Sequence, residues 1–251
     1  MKYIIKTENK LETYYVNHPL VLKSVFEPGS YDYKTDRDAP GRLRMVYKDG
    51  GERQISNVIT SPGYGFPYGV PISDDGNVYY VPGWQNGLRA YRVDGNLLLW
   101  KSKIKHCRDI LVYQDTLLTI SGDNTLVKLS SKTGCVFDTM QTSPNKDRLY
   151  DCSPDYCLVF LPDHNWGIVN KNTFQIVQRW ADDSLANRPI TDIFAEEGFL
   201  TILEARVASG GVHMAYRVYR YRLPLDKEVA SNLNFPDISE RKRILADLFS
   251  V

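Results

Sequence analysis

Residues 110 to 138 read ILVYQDTLLTISGDNTLVKLSSKTGCVFD, and the punctuation of this stretch decides the fold. Ile110-Leu111-Val112-Tyr113 and Leu117-Leu118-Thr119-Ile120 are apolar runs too short for buried helices and rich in β-formers, so they predict strands. Thr133-Gly134 then predicts a tight turn between two further strands. The same short runs recur at 78 to 81, 97 to 100 and 157 to 161, separated throughout by glycine, proline, asparagine and aspartate. Candidate hairpin turns fall at Asn9-Lys10, Gly50-Gly51, Asp94-Gly95, Thr133-Gly134, Asn172-Thr173 and Asp226-Lys227, in steps of 41, 44, 39, 39 and 54 residues. Asp-Gly and Gly-Gly carry the stronger signal, because both central residues of a type I′ turn need positive φ. A repeat of about forty residues, each holding four strands, predicts an all-β fold of the β-propeller type. One such unit cannot cover both faces of its sheet, so its neighbours must stack on it.

Five units are expected, over 18 to 60, 68 to 102, 107 to 141, 148 to 181 and 190 to 231. A hairpin around Asn9-Lys10 is left over, either as half of a sixth blade or as a strap closing the ring. After Asn234 the composition changes, and the propeller is expected to span 1–234 with a helical tail over 235–251. In that tail Ser239 can cap, and Ile244, Leu245, Leu248 and Phe249 share one helix face.

Within this frame, residues 121 to 138 resemble the third and fourth strands of a WD-repeat blade, with Asp123-Asn124 in the entering turn and Thr133-Gly134 in the hairpin. Residues 151 to 161, with Ser153-Pro154-Asp155, resemble the turn between that family's first two strands. Residues 76 to 100, ending on Trp100, resemble a quinoprotein-type blade. Tryptophan-aspartate dipeptides and the glycine-histidine pair of standard WD repeats are absent. The resemblance therefore implies a propeller fold and no particular role.

The bulk numbers bound the function. With 31 basic and 30 acidic residues the formal net charge is +1, so no global field recruits nucleic acid or an anionic membrane. The start of the chain, Met1 to Lys6, lacks the unbroken apolar run of about 7–15 residues that a secretory signal needs, and no run of about 18 exists to span a bilayer. A cytoplasmic protein with no membrane contact is expected. Cys107, Cys135, Cys152 and Cys157 sit in strand-like surroundings and lack metal-set spacing, so packing is their expected role and no metal or cofactor is expected.

Catalytic apparatus is sought without result. His18, His106, His164 and His213 are scattered, and no Gly-x-Ser-x-Gly elbow exists. The glycine-rich stretch 63–69 has Tyr68 where a dinucleotide loop needs its third glycine. Asp109, Asp151 and Asp192 recur at steps of 42 and 41, which ring symmetry would carry to one level of a channel. There they could bind a cation or assist catalysis. Local turn or strand bonding is the favoured reading, because aspartate bonds neighbouring backbone so readily. Tyr64, Phe66 and Tyr68 lie on a loop of turn-forming residues and, with the tail residues Ile244, Leu245, Leu248 and Phe249, are the candidate partner-binding surface. The basic run Lys101, Lys103, Lys105 and Arg108 reads as a solvated face, and nucleic acid is not favoured as its ligand. The expected function is a non-catalytic protein-binding propeller, such as an adaptor, a complex subunit or a neutralising partner. The alternative is a small-ligand-binding or catalytic propeller that uses the channel carboxylates.

Overall fold

The computed structural model describes residues 2–6, 11–15, 18–27, 29, 40–59, 70–83, 87–107, 109–144, 149–151, 153–162, 165–181, 190–196, 199–207 and 214–222; for 2–6, 11, 14, 59 and from 190 onward it describes the backbone alone. These residues are almost wholly strand, with a single 3-10 turn at Asp94–Asn96 as the only helical element among them. The chain divides into two compact units, Met1–Gln141 and Thr142–Val251.

The first unit holds three sheets. β1 (Lys2–Lys6), β2 (Leu11–Tyr15), β3 (Val21–Glu27), β4 (Pro40–Tyr47) and β5 (Glu52–Ile59) form a meander in sequence order. The N-terminal hairpin is therefore neither a separate half-blade nor left over: β2 pairs antiparallel with β3, with Tyr14 opposite Lys23. β6 (Val78–Val81), β7 (Arg89–Arg92) and β8 (Leu97–Lys101) form the second sheet. The four strands expected over 68 to 102 reduce here to three and an isolated bridge, Ile72 to Tyr79. β9 (Ile110–Tyr113), β10 (Thr116–Ile120), β11 (Thr125–Ser130) and β12 (Val136–Gln141) form the third, complete sheet.

Alternation along β6 explains how these sheets stack. Neighbouring strand residues point to opposite faces. Tyr79 packs with Phe26, Leu43 and Met45 of the first sheet, whereas Tyr80 packs with Trp100, Ile110, Leu117 and Leu129 towards the third. The middle sheet is thus apolar on both faces. Each fully buried large apolar side chain contributes about 1.5–3 kcal/mol relative to exposure, so this sheet depends on both neighbours.

The second unit holds β13 (Tyr150–Asp151), β14 (Tyr156–Phe160), β15 (Asn165–Asn170) and β16 (Ile176–Ala181) in one sheet, and β17 (Ile190–Glu196), β18 (Phe199–Val207) and β19 (Met214–Arg222) in another. Trp166 is fully buried, stacked on Trp180 at 6.5 Å and tilted against Phe160 at 5.1 Å. The Asp226-Lys227 turn and the tail after Asn234, including the expected helix, lie outside the described residues.

The forty-residue repeat is visible atom by atom. Gly134 N donates to Ser130 O at 2.9 Å, and Phe174 N donates to Asn170 O at 2.8 Å. Ser130 Oγ accepts from the backbone of Lys132 and Thr133, and Asn170 Oδ1 accepts from that of Asn172 and Thr173. The left-handed position of this turn is Gly134 (φ 72) in one copy and Phe174 (φ 58) in the other. The last strand in four of the five sheets also carries one extra residue, which shifts the register by one: Asn57, Leu99, Phe137 and Val177 have no partner opposite, whereas β19 pairs with β18 without a break.

Candidate functional site

Two of the three recurring aspartates, Asp109 and Asp151, are held in structural bonds. Asp109 precedes β9, is 1% exposed, and its Oδ1 accepts the backbone N–H of Ile110 at 3.0 Å. Asp151, in β13, receives the ammonium of Lys171 at 2.5 Å, and the lysine side chain is only 3% exposed. Lys171 Nζ also donates to Ser153 O at 2.7 Å and Pro154 O at 3.0 Å, so its three protons are satisfied. Asp151 and Lys171 therefore pin the Ser153-Pro154-Asp155 turn. Lys171 carries no signal in the sequence, because it lies twenty residues from its partner. Asp192 sits in β17 opposite Leu203, and its side chain lies outside the described residues. Tyr64, Phe66, Tyr68, Ile244, Leu245, Leu248 and Phe249 all lie outside them too. Among the described residues no group of three His, Cys, Asp or Glu could hold a metal ion.

Among the described residues the histidines and cysteines divide by burial; Cys152, His164 and His213 lie outside them. His18 Nδ1 accepts the backbone N–H of Leu20 at 3.1 Å and of Val21 at 2.7 Å, which leaves Nε2 protonated and donating to Ser73 O at 2.9 Å. Burial lowers its pKa, so the fold holds it as the neutral imidazole. Burial pushes the thiols of Cys107 and Cys157 up to about 12, in keeping with packing roles. Cys135 is exposed, and packing does not describe it. It opens the turn into β12, an edge strand that faces solvent.

Two surface features come together in the first unit that the sequence did not flag. The edge strands β8 and β12 expose Leu97 (55%), Leu98 (53%), Val136 (48%) and Phe137 (60%). Trp100 ties the end of β8 to the β11–β12 turn: its Nε1 donates to Ser131 O at 2.9 Å, and its ring covers Gly134, where an added Cβ would come within 2.6 Å. Beside this junction lies a cavity of about 490 Å³, with Lys103, Ile104, Lys105 and His106 on one side and Val127 and Val136 among the residues opposite. His106 holds a left-handed backbone (φ 52), and its side chain lies against Gly122. A cavity of this size falls within the roughly 300–1,000 Å³ usual for ligand sites.

No family model and no characterised protein matches the sequence. Among solved structures the chain is similar to BamB from Moraxella catarrhalis, with a TM-score of 0.47 at 12% identity over 89% of this chain and 70% of that one. It is also similar to the C-terminal WD40 domain of Sif2, with a TM-score of 0.52 at 11% identity, over 87% of this chain and 60% of that one. The chain has a β-propeller-like fold. At such identity the likeness extends to the fold alone, and function has to be argued from the site.

Proposed function

We propose that this β-propeller-like chain is a non-catalytic, cytoplasmic protein-binding module. The observation that carries the reading is the set of apolar side chains exposed on the edge strands β8 and β12, of which Val136 also lines an open cavity, since exposed apolar surface of this kind marks interaction sites. The aromatic loop with Tyr64, Phe66 and Tyr68 and the apolar stripe of the tail extend the same proposal. A channel enzyme or small-ligand binder gains less support, because Asp109 and Asp151 are engaged in local structural bonds.

Affinity capture with the full chain, followed by chemical cross-linking and mass spectrometry, tests the reading. A single stoichiometric protein partner, cross-linked to this surface and lost on Leu98→Ser/Phe137→Ser without a change in melting temperature, is the expected result. Parallel loss on Tyr64→Ser/Phe66→Ser/Tyr68→Ser, or on truncation after Asn234, adds those segments to the contact surface. Turnover of a small substrate that vanishes with Asp109→Asn or Asp151→Asn, in variants that still melt like the parent chain, would replace this reading with the enzymatic one.

A further inference from the structure

The alternating run Lys101, Lys103, Lys105 reads from sequence as an ordinary solvated face, and the fold separates its members. Lys101 ends β8 and stays outside the cavity, whereas Lys103 and Lys105 line it. Among the described residues neither of these two ammonium groups has an ion-pair partner. One carboxylate shares the lining, Asp123, which accepts the hydroxyl of Ser121, so the lining carries two cations against one anion. The floor between them is apolar, built from Ile104, Val127 and Val136.

The lysines are also held in place by their own backbone. Gly122 N donates to Lys105 O at 3.2 Å, Ile104 N to Ser102 Oγ at 3.2 Å, and Cys107 N to Gly83 O at 3.1 Å. Both cations therefore stand on a backbone segment already fixed against its neighbours, so a ligand has only the side chains left to order.

We propose that this cavity receives an acidic-apolar segment of the protein partner, in which an aliphatic side chain seats on Ile104, Val127 and Val136 while flanking carboxylates meet Lys103 and Lys105. This rests on the protein-binding reading above and adds the chemistry of what is bound. Charge complementarity selects the occupant: two unpaired ammonium groups around an apolar floor, in a chain whose net charge is only +1, favour a local acidic match. A nucleic acid would use the same cations, but the described lining offers no Phe, Tyr or Trp on which a base could stack. Strand addition to β12 is disfavoured, because its extra residue at Phe137 interrupts the register of the edge. Recognition is therefore by side chains.

The experiment is selection of a random dodecapeptide display library on the full chain, followed by fluorescence anisotropy of the selected peptides. Peptides with carboxylates interleaved with aliphatic residues are expected. Their affinity should fall about tenfold or more in Lys103→Glu/Lys105→Glu, fall again in Val136→Asp, and change little in Lys101→Glu, the control for bulk charge. Raising the salt should weaken the parent complex and leave the charge-reversed one nearly unmoved. Selected peptides without acidic bias, or acidic ones indifferent to Lys103→Glu/Lys105→Glu, overturn the proposal while leaving the protein-binding reading standing on the cross-linking result. Failure to select any peptide also overturns it. Binding of a single-stranded oligonucleotide that the same double variant abolishes assigns the cavity to nucleic acid instead.

Discussion

Gly134→Ala is expected to destabilise the first unit by about 3 kcal/mol, most of it through Trp100. The methyl group would lie 2.6 Å from Cε3 of that indole, and overpacking of this kind costs about 1–3 kcal/mol. A ring pushed off its seat also lengthens the Nε1 bond to Ser131 O, a further 1 kcal/mol or so. The backbone part is smaller, because the equivalent turn forty residues on accepts Phe174 at φ 58; a left-handed alanine costs about 1–2 kcal/mol. Urea unfolding followed by tryptophan fluorescence measures the total, and a double-mutant cycle separates its parts. In a Trp100→Leu background the clash has no partner, so Gly134→Ala should cost only the backbone share of about 1 kcal/mol. Equal costs in the two backgrounds would refute the idea that the indole, and not the turn, demands glycine here.

Three further outcomes follow from the described contacts. Lys171→Met leaves Asp151, 12% exposed, without its cation and should cost about 3 kcal/mol in thermal or urea melts, whereas Lys171→Met/Asp151→Leu should recover much of the loss; no recovery would mean the ion pair is not the cause. Because the folded pKa of His18 is lowered, its contribution is fully present above the unfolded value of about 6.5 and is lost as pH falls through the folded pKa. His18→Gln should therefore flatten the acid side of the stability profile relative to the parent, and superimposable slopes would count against the buried neutral imidazole. Peptide mapping after brief alkylation should find Cys135 modified while Cys107 and Cys157 react only on unfolding; early modification of the latter two would contradict their burial.

Local signals in the sequence were read correctly wherever the physics is local. β6 and β9 match the apolar runs 78 to 81 and 110 to 113, and Gly50-Gly51, Asp94-Gly95, Thr133-Gly134 and Asn172-Thr173 each join two paired strands. Ser153 also closes its turn as the WD-repeat resemblance implies, with its Oγ accepting the N–H of Tyr156 at 3.0 Å. Less legible was what depends on pairing at a distance. The N-terminal hairpin had no visible owner, because the register of β2 on β3 is set by which face each strand buries and not by any motif. The second unit of the repeat looked complete although its first strand is reduced to the bridge at Ile72, since a run such as Val70-Pro71-Ile72 carries the same composition either way. Asp109 and Asp151 were recognisable as members of a repeat, but the lysine that engages Asp151 arrives from the β15–β16 turn, two strands away. The cavity is the extreme case: Lys103 and Lys105 share it with Val127 and Val136, which lie on other strands and carry no common motif with them.

The unpaired residue in the last strands β5, β8, β12 and β16 bears on solubility. Leucines 97 to 99, Val136, Phe137 and Val177 would form uninterrupted sticky borders if their strands were regular, and such borders template fibrils by stacking copies in register. A kink at Asn57, Leu99, Phe137 and Val177 breaks each border into pieces of only a few residues. A second copy arriving edge-on would have to carry a matching kink to keep its hydrogen bonds. Greasy side chains can thus stand in water on these borders without inviting copies of the chain to polymerise.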